Sequence, residues 1–352
     1  MNSIVKVART AIVIYAGAAM LAACSGQMAG TSALPPAGDP QARLSPLGGT
    51  QPNANFRAWM SPDAAATKEL LYVSDAATNV VSVYDYSTGK TVGLMTGFDH
   101  PSGQCVEPDG HVWVASTNSR TLLRFAHGVS DPIVVLHTAA YPVGCSVSSN
   151  GDLAVAEQPG PSNPKGELTI WRGARTLTAR YDVCPVPFPP GYDDKGNLFV
   201  ECKDGDLTHV YIRRTSDVHL RPISLVPAIR FPGGAMWDGK YMTLTDQRYD
   251  FHARTAIYRV VAASGPRRKL KVVSASFLAD SCDAGDTDVL SPFIVGTKNT
   301  PVNDQQGRIV LGSNHDCTGT FDFWTYPGGG DPAMSLKLGP ASTTGQSVSI
   351  AE

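Results

Sequence analysis

Three acidic residues stand at equivalent points of a pattern that repeats along this sequence. Asp75, Glu157 and Asp246 each end a short run of mostly apolar residues. Carboxylate oxygens are the ligands that calcium takes in proteins, so this set is a candidate calcium site. Ser116 and Ser313 occupy the corresponding points of two other repeats and break the acidic series. Acidic residues at such points also cap turns, and both interpretations stay open.

The chain also contains seven cysteines, none in a Cys-x-x-Cys pair, which argues against a zinc ribbon or a thioredoxin-like redox site. Cys24 is the residue that directly follows the leader described below. The other six are an even number, as expected of a disulfide-bonded chain in an oxidising compartment. These six cysteines are Cys105, Cys145, Cys184, Cys202, Cys282 and Cys317.

Motifs of activated nucleophiles are absent from the sequence. The segment from Gly144 to Ser148 departs from Gly-x-Ser-x-Gly at its last position. Ser87 and Lys90 have the Ser-x-x-Lys spacing, but the other β-lactamase motifs are missing. The sequence therefore indicates no serine or cysteine nucleophile.

The first residues have the pattern of an export signal. Lys6 and Arg9 precede an apolar run from Ala11 to Ala23, which is short for a membrane span. The segment Leu21-Ala22-Ala23-Cys24 resembles a bacterial lipobox. That resemblance implies cleavage of a signal peptide, residues 1–23, and lipidation of Cys24, with more than one acyl chain for stable anchoring.

A tether is predicted after the lipidated cysteine. Residues 24–55 are rich in Ser, Gly, Pro, Ala and Gln and show no hydrophobic period, as in a flexible linker. Ser25, rather than Asp, follows the cysteine, which favours the outer over the inner membrane of a two-membrane bacterium. We expect an exported protein that is lipid-anchored to the cell envelope.

Composition limits the classes of partner. Apolar residues make up 42% of the chain and charged residues 17%, with a formal net charge of −2. A large core can therefore be buried, whereas a broad basic surface for nucleic acid is not expected.

The internal repeat predicts the fold of residues 56–352. Runs such as Leu71–Asp75, Val112–Ser116 and Leu153–Glu157 recur at intervals of about 40–50 residues, the period of a β-propeller with several strands per blade. Tight-turn sequences such as Pro108-Asp109-Gly110 and Ser149-Asn150-Gly151 precede the repeated run and predict hairpins there. No segment has a clear helical period, so helices should be few.

We predict an all-β chain that forms a six-bladed β-propeller of four-stranded blades. The longest interval is explained by one blade plus an insertion around Ala279–Asp304. Two segments compete for the innermost strand of the first blade: Ala58–Pro62 and Gly345–Ile350. If the second is right, the C-terminal segment closes the ring and removes an exposed sheet edge.

The repeats resemble the YVTN and NHL families of propeller repeats. The run from Leu71 to Asp85 and the run from Gly103 to Val114 carry the resemblance, which extends over most of residues 58–350. It implies a propeller fold far more than an activity, because these motifs are structural. Relatives include gluconolactonase-like enzymes, in which acidic and Asn side chains hold one calcium ion in the central channel. No complete set of that kind can be matched in this sequence.

Propeller topology predicts a pairing of the cysteines. Two of them, Cys105 and Cys145, hold the same place in successive innermost strands, near the start of each strand. We therefore expect the disulfides to lie on one rim of the propeller, with three pairs: Cys105–Cys145, Cys184–Cys202 and Cys282–Cys317.

Two functions follow from the sequence. The first is a non-catalytic envelope lipoprotein that binds a protein partner or small ligand through its rim or central channel. The alternative is a calcium-dependent lactone or ester hydrolase, in which the metal would polarise a carbonyl and a carboxylate would act as base. Carboxylates and Asn side chains in the channel would favour the hydrolase, and an apolar channel would oppose it.

Overall fold

We describe a computed structural model of the chain. It describes residues 57–161, 163–247, 255–262, 269–279, 289–295, 308–313, 319–338 and 343–351. The predicted signal peptide, the predicted tether with Cys24, and the predicted pair Cys282–Cys317 lie outside the described residues.

The described part of the chain is built from short strands. In chain order they are β1 Trp59–Met60, β2 Glu69–Asp75, β3 Val80–Asp85, β4 Thr91–Met95, β5 Pro101–Val106, β6 Val112–Ser116, β7 Thr121–Phe125, β8 Pro132–His137, β9 Tyr141–Val147, β10 Leu153–Gln158, β11 Gly166–Arg172, β12 Thr176–Val183, β13 Val186–Pro187, β14 Gly191–Tyr192, β15 Leu198–Asp204, β16 Leu207–Arg213, β17 Arg221–Val226, β18 Pro232–Trp237, β19 Met242–Asp246, β20 Thr255–Ala262, β21 Lys269–Leu278, β22 Val289–Val295, β23 Arg308–Ser313, β24 Thr320–Thr325, β25 Met334–Lys337 and β26 Thr343–Ile350.

Within the described ranges, the only helix is a 3-10 turn at Ala64–Ala66. None is long and apolar enough to cross a membrane.

Neighbouring strands pair in antiparallel sheets that follow one another along the chain. The first sheet has the order β1-β4-β3-β2-β26, the second contains β5–β8, the third β9–β12 and the last β22–β25. Between the third and the last sheet lies one joined sheet, β13–β21. Its two antiparallel halves, β13–β17 and β18–β21, are connected by a parallel pairing of β17 with β21.

The repeated apolar runs form the second strand of each sheet. Strands β6 and β19 are buried along their whole length, and β2 and β10 are buried at all but one position. Both faces of these strands pack against neighbouring sheets, which explains why the sequences of β2, β6 and β10 are mostly apolar rather than alternating. In β19, threonines at alternate positions are buried as well. Outer strands such as β12 alternate between exposed and half-buried residues, as expected at a sheet with one wet face.

The predicted hairpins connect the innermost strand to the second strand. Gly110 and Gly151 both have φ of 82°, which glycine adopts without steric cost. We call the edge of the molecule that carries these turns the hairpin rim, formed by residues 107–111, 148–152, 193–197 and 237–241. The opposite edge, where the chain passes between sheets near Pro101, Pro142, Pro189 and Pro232, is the crossing rim.

The C-terminal segment supplies the innermost strand of the first sheet. Strand β26 pairs with β2 along the length of β2, for example Leu71 opposite Val348. The competing assignment of Ala58–Pro62 is wrong, because β1 pairs with β4 at the outer edge of the same sheet. Closure therefore joins the two ends of the described chain in one sheet.

Two features depart from a regular repeat. In the joined sheet the innermost strand is split into β13 and β14, because the intervening run contains Pro189 and Pro190, which have no N–H for a ladder. In the last sheet the innermost strand β22 falls inside the stretch expected to be an insertion.

Two of the three predicted disulfides lie among the described residues, and both are present. Cys105 bonds to Cys145, with their Cα atoms 5.5 Å apart, and Cys184 bonds to Cys202, with their Cα atoms 5.7 Å apart. The expectation that all pairs share one rim is wrong. Cys105 lies opposite the second residue of β6, close to the hairpin rim, whereas Cys202 lies near the crossing-rim end of β15.

Candidate functional site

The acidic residues at the strand ends hold the segments that cross between sheets. Both oxygens of Asp246 accept backbone N–H groups, from Arg230 and from Phe231, each at 3.0 Å. Glu157 Oε2 accepts the N–H of Ala140 at 3.1 Å. Burial raises the pKa of Glu157 despite these bonds. These carboxylates therefore fasten the crossing to the strand end.

Other residue types do the same at this position of the repeat. Ser116 Oγ accepts the N–H of Asp99 at 2.8 Å. In the half-sheet β13–β17 the equivalent residue is Cys202. Its disulfide partner Cys184 lies in the crossing segment before that half-sheet. The position thus requires an attachment to the crossing, and a carboxylate, a hydroxyl or a disulfide provides it.

Asp75, the third of the strand-end acids, accepts hydrogen bonds from the turn that directly follows it. Its Oδ1 accepts the N–H groups of Ala77 at 3.0 Å and Thr78 at 3.3 Å. Asp75, Glu157 and Asp246 do not come close enough to one another to share an ion. They therefore do not fit a channel calcium site, and the alternative role, support of turns and crossings, describes their contacts.

One other group of ionisable residues does converge. Among the described residues, Glu107, Asp109 and His111 are the only three whose ligand atoms lie near enough for one metal ion. Arg124 already pairs with Glu107 and, at 3.5 Å, with Asp109, and the Trp113 indole donates to Glu107 Oε1 at 2.6 Å. His111 Nδ1 lies 2.9 Å from Asp109 Oδ1. A cation on one side of the group and an indole on the other give it a structural role in the hairpin.

Glycines bring the innermost strands into backbone contact around the axis. A Cβ added to Gly345 would lie 2.8 Å from the Cα of Gly103, and one added to Gly103 would lie 2.9 Å from the Cα of Gly144. A Cβ on Gly144 would meet Pro189 Cγ at 2.6 Å, and one on Gly234 the Pro189 carbonyl oxygen at 3.0 Å. We call these five residues the glycine collar. It narrows the channel because no side chain separates the strands there.

Next to the collar the channel contains a cavity of about 110 Å³, which we call the cup. Its apolar walls come from the innermost strands of all the sheets, and the Cys105–Cys145 disulfide forms part of one wall. None of the described wall residues carries a charge. The larger apolar side chains are Val106, Val147, Tyr192, Met236, Trp237 and Phe293.

Five residues with polar side-chain atoms line the cup: Gln104, Ser146, Tyr192, Trp237 and Gln346. The Gln104 amide donates to Ser74 Oγ at 2.8 Å and accepts from Ser347 Oγ at 2.6 Å, so it is committed to the first sheet. Ser146 Oγ accepts the N–H of Tyr192 at 3.2 Å, which leaves the hydroxyl proton for another acceptor.

Solved structures of other proteins share this arrangement of sheets. The chain is similar to a chain in a crystal structure of a nidogen–laminin complex, with a TM-score of 0.56 and 10% identity, covering 81% of this chain and 99% of that one. A protein of unknown function from Bacteroides caccae gives a TM-score of 0.55 at 11% identity, covering 80% and 99%. A functionally unknown protein from Desulfotomaculum acetoxidans gives 0.52 at 10% identity, with the same coverage.

These likenesses concern the fold alone. No family model matches the chain, and no curated protein matches it. With the succession of sheets around an axis and the closure by β26, they identify the fold as a β-propeller. The all-β propeller predicted from the repeats is confirmed at this level.

The cup was not predicted from the sequence as a set of residues. Its walls come from the innermost strands, which are the least apolar and most glycine-rich parts of each repeat, for example Pro101–Val106. Glycine at the third or fourth position of these strands was the available signal, since it marks a close approach of backbones.

Proposed function

We propose that the protein is an envelope-anchored, six-bladed propeller that binds a ligand in the cup of its central channel. The six blades are the first, second, third and last sheets and the two halves of the joined sheet. The regular intervals between the repeated strands support this count, because each interval contains one four-stranded unit.

One observation carries the binding role: the walls of the cup are apolar, with a small number of polar atoms. This is the usual composition of a small-molecule site, in which apolar area supplies affinity and few polar groups supply orientation. The calcium-dependent hydrolase lacks support in the same place, because the described walls contain no Asp, Glu or Asn. The three strand-end carboxylates are already engaged by backbone N–H groups or turns.

Anchoring is proposed from the lipobox at Cys24. The described chain starts at the outer edge of the first sheet, where β1 pairs with β4, so an N-terminal tether attaches away from the cup. Feeding cells an alkyne-bearing fatty acid should label the native protein and leave the Cys24→Ala variant unlabelled. Labelling of the variant at the native level would contradict lipidation at this residue.

Binding in the cup is tested by adding bulk to its wall. A fragment library, with neutral, anionic and cationic versions of each ring scaffold, is screened by saturation-transfer NMR against the native chain and against Ser146→Phe. Fragments that bind the native protein should lose their signal with the variant, because the new ring fills a cavity of about 110 Å³.

A second variant allows the test to be made if the first one does not fold. Val106→Phe adds bulk at a half-buried wall residue near the end of β5 and should have the same effect if Ser146→Phe fails to fold. Ser224→Ala, on the exposed outer strand β17, is the matched control and should bind as the native chain does. Absence of any hit, or equal hits in the native and filled proteins, would overturn the proposed function.

A further inference from the structure

The size of the cup limits the ligand to about one ring. Its volume of about 110 Å³ is below the roughly 300 Å³ or more that drug-sized ligands occupy. It is closer to the roughly 150 Å³ of an apolar cavity that accepts benzene. A bicyclic sugar lactone or a peptide segment would have to remain largely outside the walls.

The walls of the cup contain hydrogen-bond donors that carry no charge. Ser146 uses its oxygen as the acceptor for the Tyr192 N–H, and its own proton has no acceptor among the residues that the structure describes. The Trp237 indole N–H, in another residue of the walls, likewise has no acceptor in the described ranges. Both groups can donate to an oxygen of a bound molecule, and neither can neutralise a charge.

The approach to the cup disfavours anions. The four described inner turns of the hairpin rim contain six carboxylates and two lysines, and the aspartates recur in all four turns. Two of the carboxylates, Glu107 and Asp238, pair with Arg124 and Arg259. The six carboxylates still outnumber these two arginines and the two lysines together. An anion would therefore lose its hydration in an apolar cavity without a countercharge and would meet like charges at the mouth.

We propose that the cup binds an uncharged, single-ring molecule that presents an acceptor oxygen to Ser146 and Trp237. This inference rests on the proposed function and specifies the ligand class of the same site. The ring packs against Val147, Met236 and Phe293, and the oxygen takes the two donors.

The test uses fluorine NMR on the full chain labelled with 5-fluorotryptophan. The chain has five tryptophans. Trp113, Trp171 and Trp324 are fully buried in the core, and Trp59 is exposed at the start of the described chain, so Trp237 alone reports on the cup. The Trp237→Phe variant assigns its resonance.

The probes are benzamide, benzoate and benzylammonium, which share a ring and differ in charge, and toluene, which has the ring without an acceptor oxygen. We expect benzamide to shift the Trp237 resonance in a saturable way and to leave the other four unchanged. Benzoate and benzylammonium should each need at least a ten-fold higher concentration for the same shift, because either charge would lose its hydration in the cup without a countercharge. Ser146→Ala should weaken benzamide several-fold and leave toluene unchanged, while Ser224→Ala should change neither.

The outcomes separate this inference from the proposed function. If the fragments that depend on an open cup are mainly charged, or if benzoate or benzylammonium binds as tightly as benzamide, the ligand class is wrong and cup binding stands. Equal affinity of benzamide for the native chain and Ser146→Ala overturns the role of the hydroxyl. If no fragment depends on an open cup, the proposed function itself fails.

Discussion

The carboxyl group of Glu201 crosses from one half of the joined sheet to the other and accepts the N–H of Gly234 at 2.6 Å. Glu201 lies on β15 and is fully buried, whereas Gly234 lies on β18 and belongs to the glycine collar. The same oxygen also accepts the N–H of Gly233, with 3.3 Å between the nitrogen and the oxygen. A buried acid thus fixes the backbone that narrows the channel.

Replacement of Glu201 by Gln should change how stability depends on pH. Burial raises the pKa of Glu201 well above its ordinary value of 4.5, more than the N–H of Gly234 lowers it. The folded state then retains a proton that the unfolded chain releases, so the contribution of Glu201 to the free energy of unfolding falls as pH rises above about 4.5 towards the folded pKa.

In denaturant titrations between about pH 4 and pH 8, the native protein should lose stability relative to Glu201→Gln as the pH rises. Asp131→Asn, at an exposed position, is the control and should run parallel to the native curve. A constant difference between native and Glu201→Gln over this range would contradict a raised pKa.

Loss of the Cys105–Cys145 disulfide should destabilise the fold and weaken the cup. This bond closes a loop of 40 residues and joins the innermost strands β5 and β9. By loop-closure entropy, replacing both cysteines by Ala should lower the free energy of unfolding by about 4 kcal/mol, against about 3 kcal/mol for the 18-residue loop of Cys184–Cys202.

The second disulfide also serves as the control for binding. Only the Cys105–Cys145 bond forms a wall of the cup, so only its loss should weaken the response of Trp237 to benzamide. Equal weakening by loss of either disulfide would show that general destabilisation, rather than the wall, sets the affinity.

The propeller was predictable from the sequence because its signals are local and repeated. The apolar runs that become β6 and β10, and the Asp-Gly and Asn-Gly turns beside them, mark the second strand and its hairpin. The pairing of Cys105 with Cys145 followed from their equal place in successive repeats. These features depend on neighbours in the chain and on topology, which a sequence displays.

The role of the strand-end acids was open from the sequence because it depends on contacts made across the fold. An aspartate can serve either as a calcium ligand or as an acceptor of backbone N–H groups. Asp246 is an acceptor because the fold brings the N–H groups of Arg230 and Phe231 to it. The series Ser116, Glu157, Cys202 contained the answer, since an ion site would not alternate with a disulfide. The position of Cys105 along β5 was predicted wrongly. It depends on the register in which β5 pairs with β6, where Cys105 lies opposite Trp113.

The glycines of the collar should tolerate no side chain. A Cβ at Gly103 would lie 2.4 Å from the carbonyl oxygen of Val143, and a backbone atom in a neighbouring strand cannot move aside. Gly103→Ala should therefore cost about 1–3 kcal/mol in the free energy of unfolding.

Gly328 provides the matched control for this substitution. A Cβ there would lie 3.4 Å from the nearest atom, the carbonyl oxygen of Thr325, so Gly328→Ala should stay close to native stability in the same urea titration. If Gly103→Ala is as stable as Gly328→Ala, the strands are not in the close contact that narrows the channel.

Closure by β26 should be separable from the rest of the chain and restored by a peptide. Deleting residues 343–352 exposes the edge of β2 and removes Val348 from the core, and it breaks the contact of Ser349 Oγ with His127 Nδ1 at 2.8 Å. The truncated protein should lose its cooperative thermal transition, because an open propeller leaves two sheet edges and an apolar face in water.

A synthetic peptide of residues 343–352 should bring that transition back in a concentration-dependent way. The same peptide with Gly345→Val should fail, because its side chain would meet the Ser102 carbonyl oxygen, which lies 2.4 Å from an added Cβ. Differential scanning calorimetry of the truncated chain with each peptide makes the comparison. Rescue by both peptides would mean that β26 supplies only edge hydrogen bonds, whereas rescue by the native peptide alone requires the backbone contact between Gly345 and the strand of Gly103.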